Sequence, residues 1–326
     1  MPKYVVLDGH ASFENDFRTE VNILKAHGID SVIAECKTFE DIVAVAADAD
    51  AIGVIYQNVQ GPLMDKLKKC KVYVRYGIGY DNIHVSDATD RGVAVCNIPD
   101  YCQPEVATHA LGLILDCCRK ITLLDRKYRG GIWNGTYGYT INRLSTQTLG
   151  IIGLGNIGRK LTEYVKPFGM EILACDPYLD NDVFSNYSVK RASLDELLAK
   201  SDIISIHCPL TQETEHLINC ANIKKMKDGV IIVNTARGAI VSLDDLTEAL
   251  ITGKVKAAGL DVIEGEPDIP LEHGIFHCEN VILTPHCAYN SVEAVVEQHE
   301  KVARSVIDVL SGNLPYNCVN KKDLQG

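Results

Sequence analysis

The sequence has no apolar run approaching the length of a membrane-spanning helix, so no transmembrane segment is expected. It has no long run of Lys or Arg, and its formal net charge is −11, which argues against a nucleic-acid partner. None of its twelve cysteines forms a CxxC pair, so neither a zinc site nor a disulfide framework is predicted, and no metal is expected. Cys36, Cys96, Cys117, Cys118 and Cys175 fall inside or directly beside predicted strands or helices. That is the pattern of buried free thiols in a reducing compartment. The N-terminus, Met1 to Asp8, has only a short apolar run and no cleavage-site pattern, so no signal peptide is expected and a cytoplasmic location is predicted. Internal repeats and low-complexity segments are absent as well.

With 326 residues, 46% of them hydrophobic and 23% charged, the chain has the balance of a globular protein and room for two domains. Over the first hundred residues, short β-rich runs alternate with helical patterns. Strands are predicted at Tyr4–Leu7, Ser31–Ala34, Ala51–Ile55, Lys71–Arg75 and Ala94–Cys96, and helices at Glu14–His27, Phe39–Ala46 and Pro62–Lys69. Apolar strands separated by helices imply a parallel sheet covered on both faces. A single long helix is predicted from Pro104 to about Tyr128, with apolar residues spread over more than one stripe. A helix of that kind links two domains or packs on a second subunit. A second α/β unit follows, with six strands at Leu149–Ile152, Glu171–Ala174, Ile203–Ile206, Val230–Val233, Ala257–Leu260 and Val281–Leu283. The last helix, from Ser291 to about Leu310, is expected to return the chain to the first domain. The predicted fold is α/β, with two doubly wound parallel-sheet domains of Rossmann-like type and a cleft between them. Residues 1–101 plus 290–326 would form one domain, of flavodoxin-like type, and 102–289 the other, of Rossmann type.

Gly153-Leu154-Gly155-Asn156-Ile157-Gly158 directly follows the first strand of the second unit and opens a helix; the next strand ends at Asp176. A dinucleotide-binding unit needs this order. Gly153 permits the tight turn, Gly155 lets a pyrophosphate approach the backbone, and Gly158 lets helix and strand pack closely. The helix N-terminus offers N–H groups and a positive dipole end to the phosphates. Asp176, eighteen residues after Gly158, suits the hydroxyls of the adenosine ribose and disfavours a 2′-phosphate.

Three polar signals follow three successive strands: Asn234-Thr235-Ala236-Arg237-Gly238, Asp261-Val262-Ile263-Glu264-Gly265-Glu266, and Thr284-Pro285-His286. In a doubly wound sheet these points share the carboxyl edge, where ligands bind. A guanidinium, a carboxylate and an imidazole on one rim suit hydride transfer at a 2-hydroxy or 2-oxo acid. Arg237 can grip a carboxylate or carbonyl oxygen. His286 can give or take the hydroxyl proton. Glu266 can hold the other ring nitrogen and favour the charged imidazole, with Glu264 as a close competitor.

The chain resembles the D-isomer-specific 2-hydroxyacid dehydrogenase family through these motifs together with Arg75-Tyr76-Gly77-Ile78-Gly79-Tyr80-Asp81-Asn82 and Gly259-Leu260-Asp261-Val262. Within the family it looks nearest to the branch holding the C-terminal-binding-protein corepressors, through Asp176-Pro177-Tyr178-Leu179, His216-Leu217-Ile218-Asn219 and Asn317-Cys318-Val319-Asn320; phosphoglycerate dehydrogenase-like members are also near. The resemblance implies an NAD(H)-dependent enzyme acting on a small D-2-hydroxy or 2-oxo acid, with Arg237, Glu266 and His286 as its catalytic residues. It implies cofactor contacts at Gly153, Gly155, Asn156, Ile157, Gly158, Asp176, the stretch His207-Cys208-Pro209, Thr108, Thr235, Ala236, Asp261 and Ile78. It implies substrate contacts at Arg75, at the backbone amides of Ile78 and Gly79, and at Tyr289, which stands where the corepressor branch has tryptophan. Tyr76, Tyr101 and Trp133 are further candidates for lining an apolar pocket. A homodimer built around the linking helix is expected. The alternative is a cofactor-sensing interaction protein of the corepressor type with weak catalysis; the near absence of a tail after the last helix favours the enzyme.

Overall fold

The computed structural model describes residues 1–11, 16–135 and 140–325. Its contacts divide the chain into two compact units, Met1–Tyr101 with Ser291–Gly326, and Cys102–Asn290.

In the first unit the strands are β1 (Lys3–Val6), β2 (Asp30–Ile33), β3 (Ala51–Val54), β4 (Val72–Arg75) and β5 (Ala94–Cys96), all parallel, in the order β2-β1-β3-β4-β5. Helices α1 (Arg18–Ala26), α2 (Phe39–Ala46), α3 (Gly61–Met64) and α4 (Val85–Asp90) connect them. The predicted start of α1 at Glu14 lies outside the described residues. Helix α3 stops at Met64, well short of Lys69. Helix α4 went unread because six residues with one buried side chain, Ala88, leave no apolar period to detect.

The second unit begins with α5 (Gln103–Arg119) and α6 (Ile121–Arg129). The long helix predicted from Pro104 to Tyr128 is therefore two helices. They break at Lys120, whose φ of 58° ends one helix and starts the next. Periodicity missed the break because a left-handed lysine carries no signal as glycine would. The strands are β6 (Thr148–Ile152), β7 (Glu171–Cys175), β8 (Lys190–Arg191), β9 (Ile203–Ile206), β10 (Val230–Asn234), β11 (Val255–Leu260) and β12 (Val281–Leu283). Helices α7 (Asn156–Val165), α8 (Asn181–Asn186), α9 (Leu194–Lys200), α10 (Cys220–Lys225) and α11 (Leu243–Ile251) connect them; α12 (Val292–Leu310) and α13 (Lys321–Gln325) belong to the first unit.

The seven strands are all parallel, in the order β12-β11-β10-β9-β6-β7-β8. The unpredicted seventh, β8, is an exposed two-residue edge with no apolar content. Alternation decides which residues meet which layer. Ile231 and Val233 pack under α5 and α7, while Val230 and Ile232 pack under α9, α10 and α11. Strand order reverses between β6 and β9, so the loops leaving their carboxyl ends diverge and open a crevice there. Among the described residues no helix is long and apolar enough to cross a membrane.

Candidate active site

The turn after β6 is shaped by what it cannot accommodate. Gly153 has φ of 90°, and a side chain there would meet the backbone nitrogen of Cys208 at 2.6 Å. A side chain at Gly158 would meet the carbonyl oxygen of Gly153 at 2.4 Å. The first residue of this turn thus touches the loop after β9, and the first turn of α7 lies directly on the strand end. Gly155, by contrast, has nothing within 4 Å of its side-chain direction. The amides of Asn156 and Ile157 make no hydrogen bond among the described residues. This is an open cradle of N–H groups at a helix N-terminus, of the size and polarity a pyrophosphate fills. Asp176 sits beside it, partly exposed; its carboxylate accepts from the amides of Leu154 (2.9 Å) and Tyr178 (3.1 Å). His207 pairs through Nε2 with the Ser205 hydroxyl at 2.8 Å, and desolvation pushes its imidazole down to about 4. It is therefore neutral at neutral pH and contributes shape and hydrogen bonding, not charge. The hydroxyl of Thr235 is buried with no hydrogen-bond partner among the described residues, an orphan polar group that a ligand could satisfy. These residues fit a bound dinucleotide. Thr108 is exposed on α5 and gives its hydroxyl proton to the Pro104 carbonyl at 2.7 Å.

The carboxyl ends of β10, β11 and β12 are adjacent, so the three polar signals of the sequence share one edge. After β10, Asn234 folds the chain back on itself. Its side chain accepts from the Ala236 amide at 3.0 Å and donates to the Arg237 carbonyl at 2.8 Å, which fixes the backbone that carries Arg237. Past β12, His286 has φ of 52°, and its Nδ1 lies 2.7 Å from Glu266 Oε1. Glu266 Oε2 accepts from the Ile263 amide at 2.9 Å. The competition between two glutamates is resolved: Glu264 turns away, pairing with the His216 ring and accepting from the Leu243 amide.

Asp261 is only 1% exposed. Its carboxylate accepts from the Thr284 hydroxyl (2.6 Å), the Cys287 amide (2.9 Å) and the Ala288 amide (2.9 Å), while its carbonyl accepts from the His286 amide (2.8 Å). It thus fastens the segment that carries His286. His109 joins this cluster, its Nε2 2.9 Å from the Thr284 hydroxyl.

In the first unit, Arg75 ends β4, and Ile78 and Gly79 follow it. The amides of Ile78 and Gly79 make no hydrogen bond among the described residues, and the Ile78 carbonyl accepts from the Asn97 side chain at 2.6 Å. Tyr76, just before this turn, is buried and donates to Glu20 at 2.6 Å; Glu20 in turn pairs with His299 Nδ1 at 2.7 Å. Burial raises the Glu20 carboxyl above its ordinary range. Glu20 and His299 on helices, and Asn97 just past β5, were not singled out from sequence, because a lone buried polar residue in an apolar element carries no local signal. Tyr76 and Tyr101 are buried in the first unit, Tyr289 is partly exposed, and Trp133 is 85% exposed.

Comparison with known proteins agrees with this geometry. Residues 111–288 match the NAD binding domain of D-isomer specific 2-hydroxyacid dehydrogenases. A D-3-phosphoglycerate dehydrogenase of Archaeoglobus fulgidus is 35% identical over 94% of this chain; the chain spans only 58% of that relative's length. A glyoxylate reductase of Thermofilum pendens is 37% identical over 91% of this chain and 90% of its own. The structure of a D-lactate dehydrogenase from Aquifex aeolicus, solved with NAD and lactic acid, matches with a TM-score of 0.87 at 28% identity, covering 95% of this chain and 96% of that one. The chain belongs to the D-isomer-specific 2-hydroxyacid dehydrogenase family and is an NAD-dependent oxidoreductase that interconverts a D-2-hydroxy acid and its 2-oxo acid.

Proposed function

We propose that this enzyme works as a reductase of small 2-oxo acids, with His286 as proton donor, Glu266 as the group that orients it, and Arg237 as the cation that holds the substrate. The observation that carries the reading is the 2.7 Å pair between His286 Nδ1 and Glu266. With Nδ1 committed to a carboxylate, the proton in transit is carried at Nε2. NAD(H), when bound, exchanges the hydride with the substrate carbon. His286 gives its Nε2 proton to the carbonyl oxygen as that oxygen becomes a hydroxyl, and recovers it in the opposite direction. Arg237 presents a planar set of donors to the oxo-acid oxygens, which orients the carbon and withdraws charge from the carbonyl. In the first unit, the amides of Ile78 and Gly79, with Arg75, suit a carboxylate, because two adjacent N–H groups without protein acceptors form an anion site. Relatives named for glyoxylate and lactate support a small side chain on the substrate. A screen of glyoxylate, hydroxypyruvate, pyruvate and larger 2-oxo acids with NADH, followed by loss of nicotinamide absorbance, tests this. Preference for a bulky aromatic oxo acid would overturn it.

Asp176 should make the enzyme selective for NAD(H) over NADP(H). A 2′-phosphate next to this partly buried carboxylate meets like charge, and Pro177, Tyr178 and Leu179 supply no cation. A repulsion of about 1–3 kcal/mol corresponds to roughly 5- to 150-fold in catalytic efficiency. Equal kcat/KM with the two cofactors would refute the assignment.

The protein is further proposed to be a cytoplasmic homodimer built around α5 and α6. Ile121, Tyr128, Ile132 and Trp133 expose apolar surface in one stretch of chain, with the Tyr128 and Trp133 rings 5.4 Å apart. Apolar surface gathered this way marks an interface, and twofold pairing is its commonest form. Sedimentation at micromolar concentration should give twice the mass of the chain; a monomer would contradict the proposal.

A further inference from the structure

We infer that Cys96 and Cys318 are a thiol pair that closes to an intramolecular disulfide under a peroxide oxidant, which makes them a modification site far along the chain from the catalytic residues. Cys96 ends β5, and Cys318 lies in the segment that follows α12; both are free and buried. They face each other as partners in an antiparallel bridge. The hydrogen bonds around them define which kind of pair it is. The Asn97 amide donates to the Asn317 carbonyl at 3.2 Å, and the Val319 amide donates to the Val95 carbonyl at 2.8 Å. Cys96 and Cys318 therefore occupy the position between the two bonds, not the position that exchanges them. In an antiparallel ladder this is where opposed side chains come closest, with Cα atoms about 4.5 Å apart. That separation falls at the near end of the range a disulfide spans. Of the twelve cysteines, this pair alone is joined in this way among the described residues.

The surroundings hold the two residues in place. The Asn320 side chain accepts from the Val95 amide at 2.9 Å and donates to the Val93 carbonyl at 3.0 Å. The Asn317 side chain donates to the Asn97 carbonyl at 2.6 Å. The segment is thus stitched to β5 on both sides of the sulfur pair, and closing the bond needs a change in side-chain torsions rather than a movement of the backbone. Cys318 Sγ also donates to Asn320 Oδ1 at 3.4 Å. Cys318 is 6% exposed and Cys96 is fully buried, so peroxide reaches Cys318 first, and the neighbouring Cys96 favours its ionisation; Cys318 is accordingly the nucleophile and Cys96 the resolving thiol. Next along the chain, Asn97 donates to the Ile78 carbonyl and the Ile98 amide donates to the Gly77 carbonyl, so the pair adjoins the residues that brace the turn after β4.

The chemistry balances with hydrogen peroxide as the only added reactant. The Cys318 thiolate attacks one peroxide oxygen; an S–O bond forms, the O–O bond breaks, and the departing hydroxide leaves as water with the proton that Cys318 gave up. The Cys96 sulfur then attacks the Cys318 sulfenic acid; the S–S bond forms, the S–O bond breaks, and the second water carries away the Cys96 proton. Two electrons pass from the thiols to the peroxide.

The test is a peptide map of the full-length folded protein after treatment with hydrogen peroxide, alkylation in denaturant and digestion without reductant. The expected product joins the Cys96 and Cys318 peptides, weighs about 2 Da less than their sum, and disappears on treatment with dithiothreitol. In Cys96→Ala the cross-link should vanish and Cys318 should be trapped as a sulfenic acid by dimedone. Hydrogen exchange should slow across residues 314–325 in the oxidised wild-type protein, because the tail can no longer leave β5 on its own. If peroxide oxidises the exposed Cys220 while Cys96 and Cys318 both stay alkylatable, the inference fails. It fails equally if Cys318 is found joined to another cysteine. The wild-type map does not depend on either variant folding.

Discussion

Replacing His286 by alanine is expected to lower turnover roughly 10²–10⁴-fold, the usual contribution of a positioned acid–base group, while NADH binding stays nearly intact. The split follows from position. His286 lies past β12, whereas the N–H cradle that suits the pyrophosphate lies past β6, with β9, β10 and β11 between them in the sheet. Loss of the imidazole therefore removes proton transfer without touching the cradle. Its partner gives a finer test. Glu266→Gln keeps the side-chain volume but removes the carboxylate 2.7 Å from the ring, so the imidazole is held less firmly in the orientation that presents Nε2 to the substrate and turnover should fall. Glu264→Gln should have a much smaller effect on turnover, since Glu264 pairs with His216 and not with His286. Normal turnover in Glu266→Gln, or an equal loss in Glu264→Gln, would mean that the pairing does not serve catalysis.

The second large effect is expected at Asp261, which need touch neither substrate nor cofactor. Asp261→Ala strips the acceptor from the amides of Cys287 and Ala288 and from the Thr284 hydroxyl. Each buried amide left without a partner costs about 1–3 kcal/mol, so the two together predict a loss of about 2–6 kcal/mol in denaturant unfolding. The same three bonds fix the segment on which His286 sits at φ of 52°, a conformation a histidine keeps only when its surroundings impose it. A misplacement of about 1 Å is enough for a loss on the order of 10² in turnover. Asp261→Asn retains one acceptor oxygen and should fall between the two. Full stability with normal turnover in Asp261→Ala would show that the segment holds its shape without the carboxylate.

Much of this enzyme is legible in its sequence because the relevant signals are local. Strand–glycine turn–helix–strand–acid lies within twenty-odd residues; Gly153 and Gly158 each answer a contact that a side chain would break, and Gly155 leaves the cradle open. The runs that became β10, β11 and β12 are short, apolar and bounded by turn residues, so their polar sequels were readable as a shared edge. Tertiary structure decided what local signals leave open. The choice between Glu264 and Glu266 is invisible in a stretch that holds both, because it depends on which residue the loop turns toward His286. The break at Lys120 arises where a lysine takes a conformation usually left to glycine. That Asp261 fastens amides more than twenty residues later in the sequence is equally invisible locally, because it depends on the fold bringing the segment after β12 against the end of β11. The pairing of Cys96 with Cys318 spans most of the chain, and no periodicity reaches that far. Sequence alone determined the chemistry available and the strands that carry it; folding determined which of those groups meet, since that follows from long-range packing and hydrogen bonding.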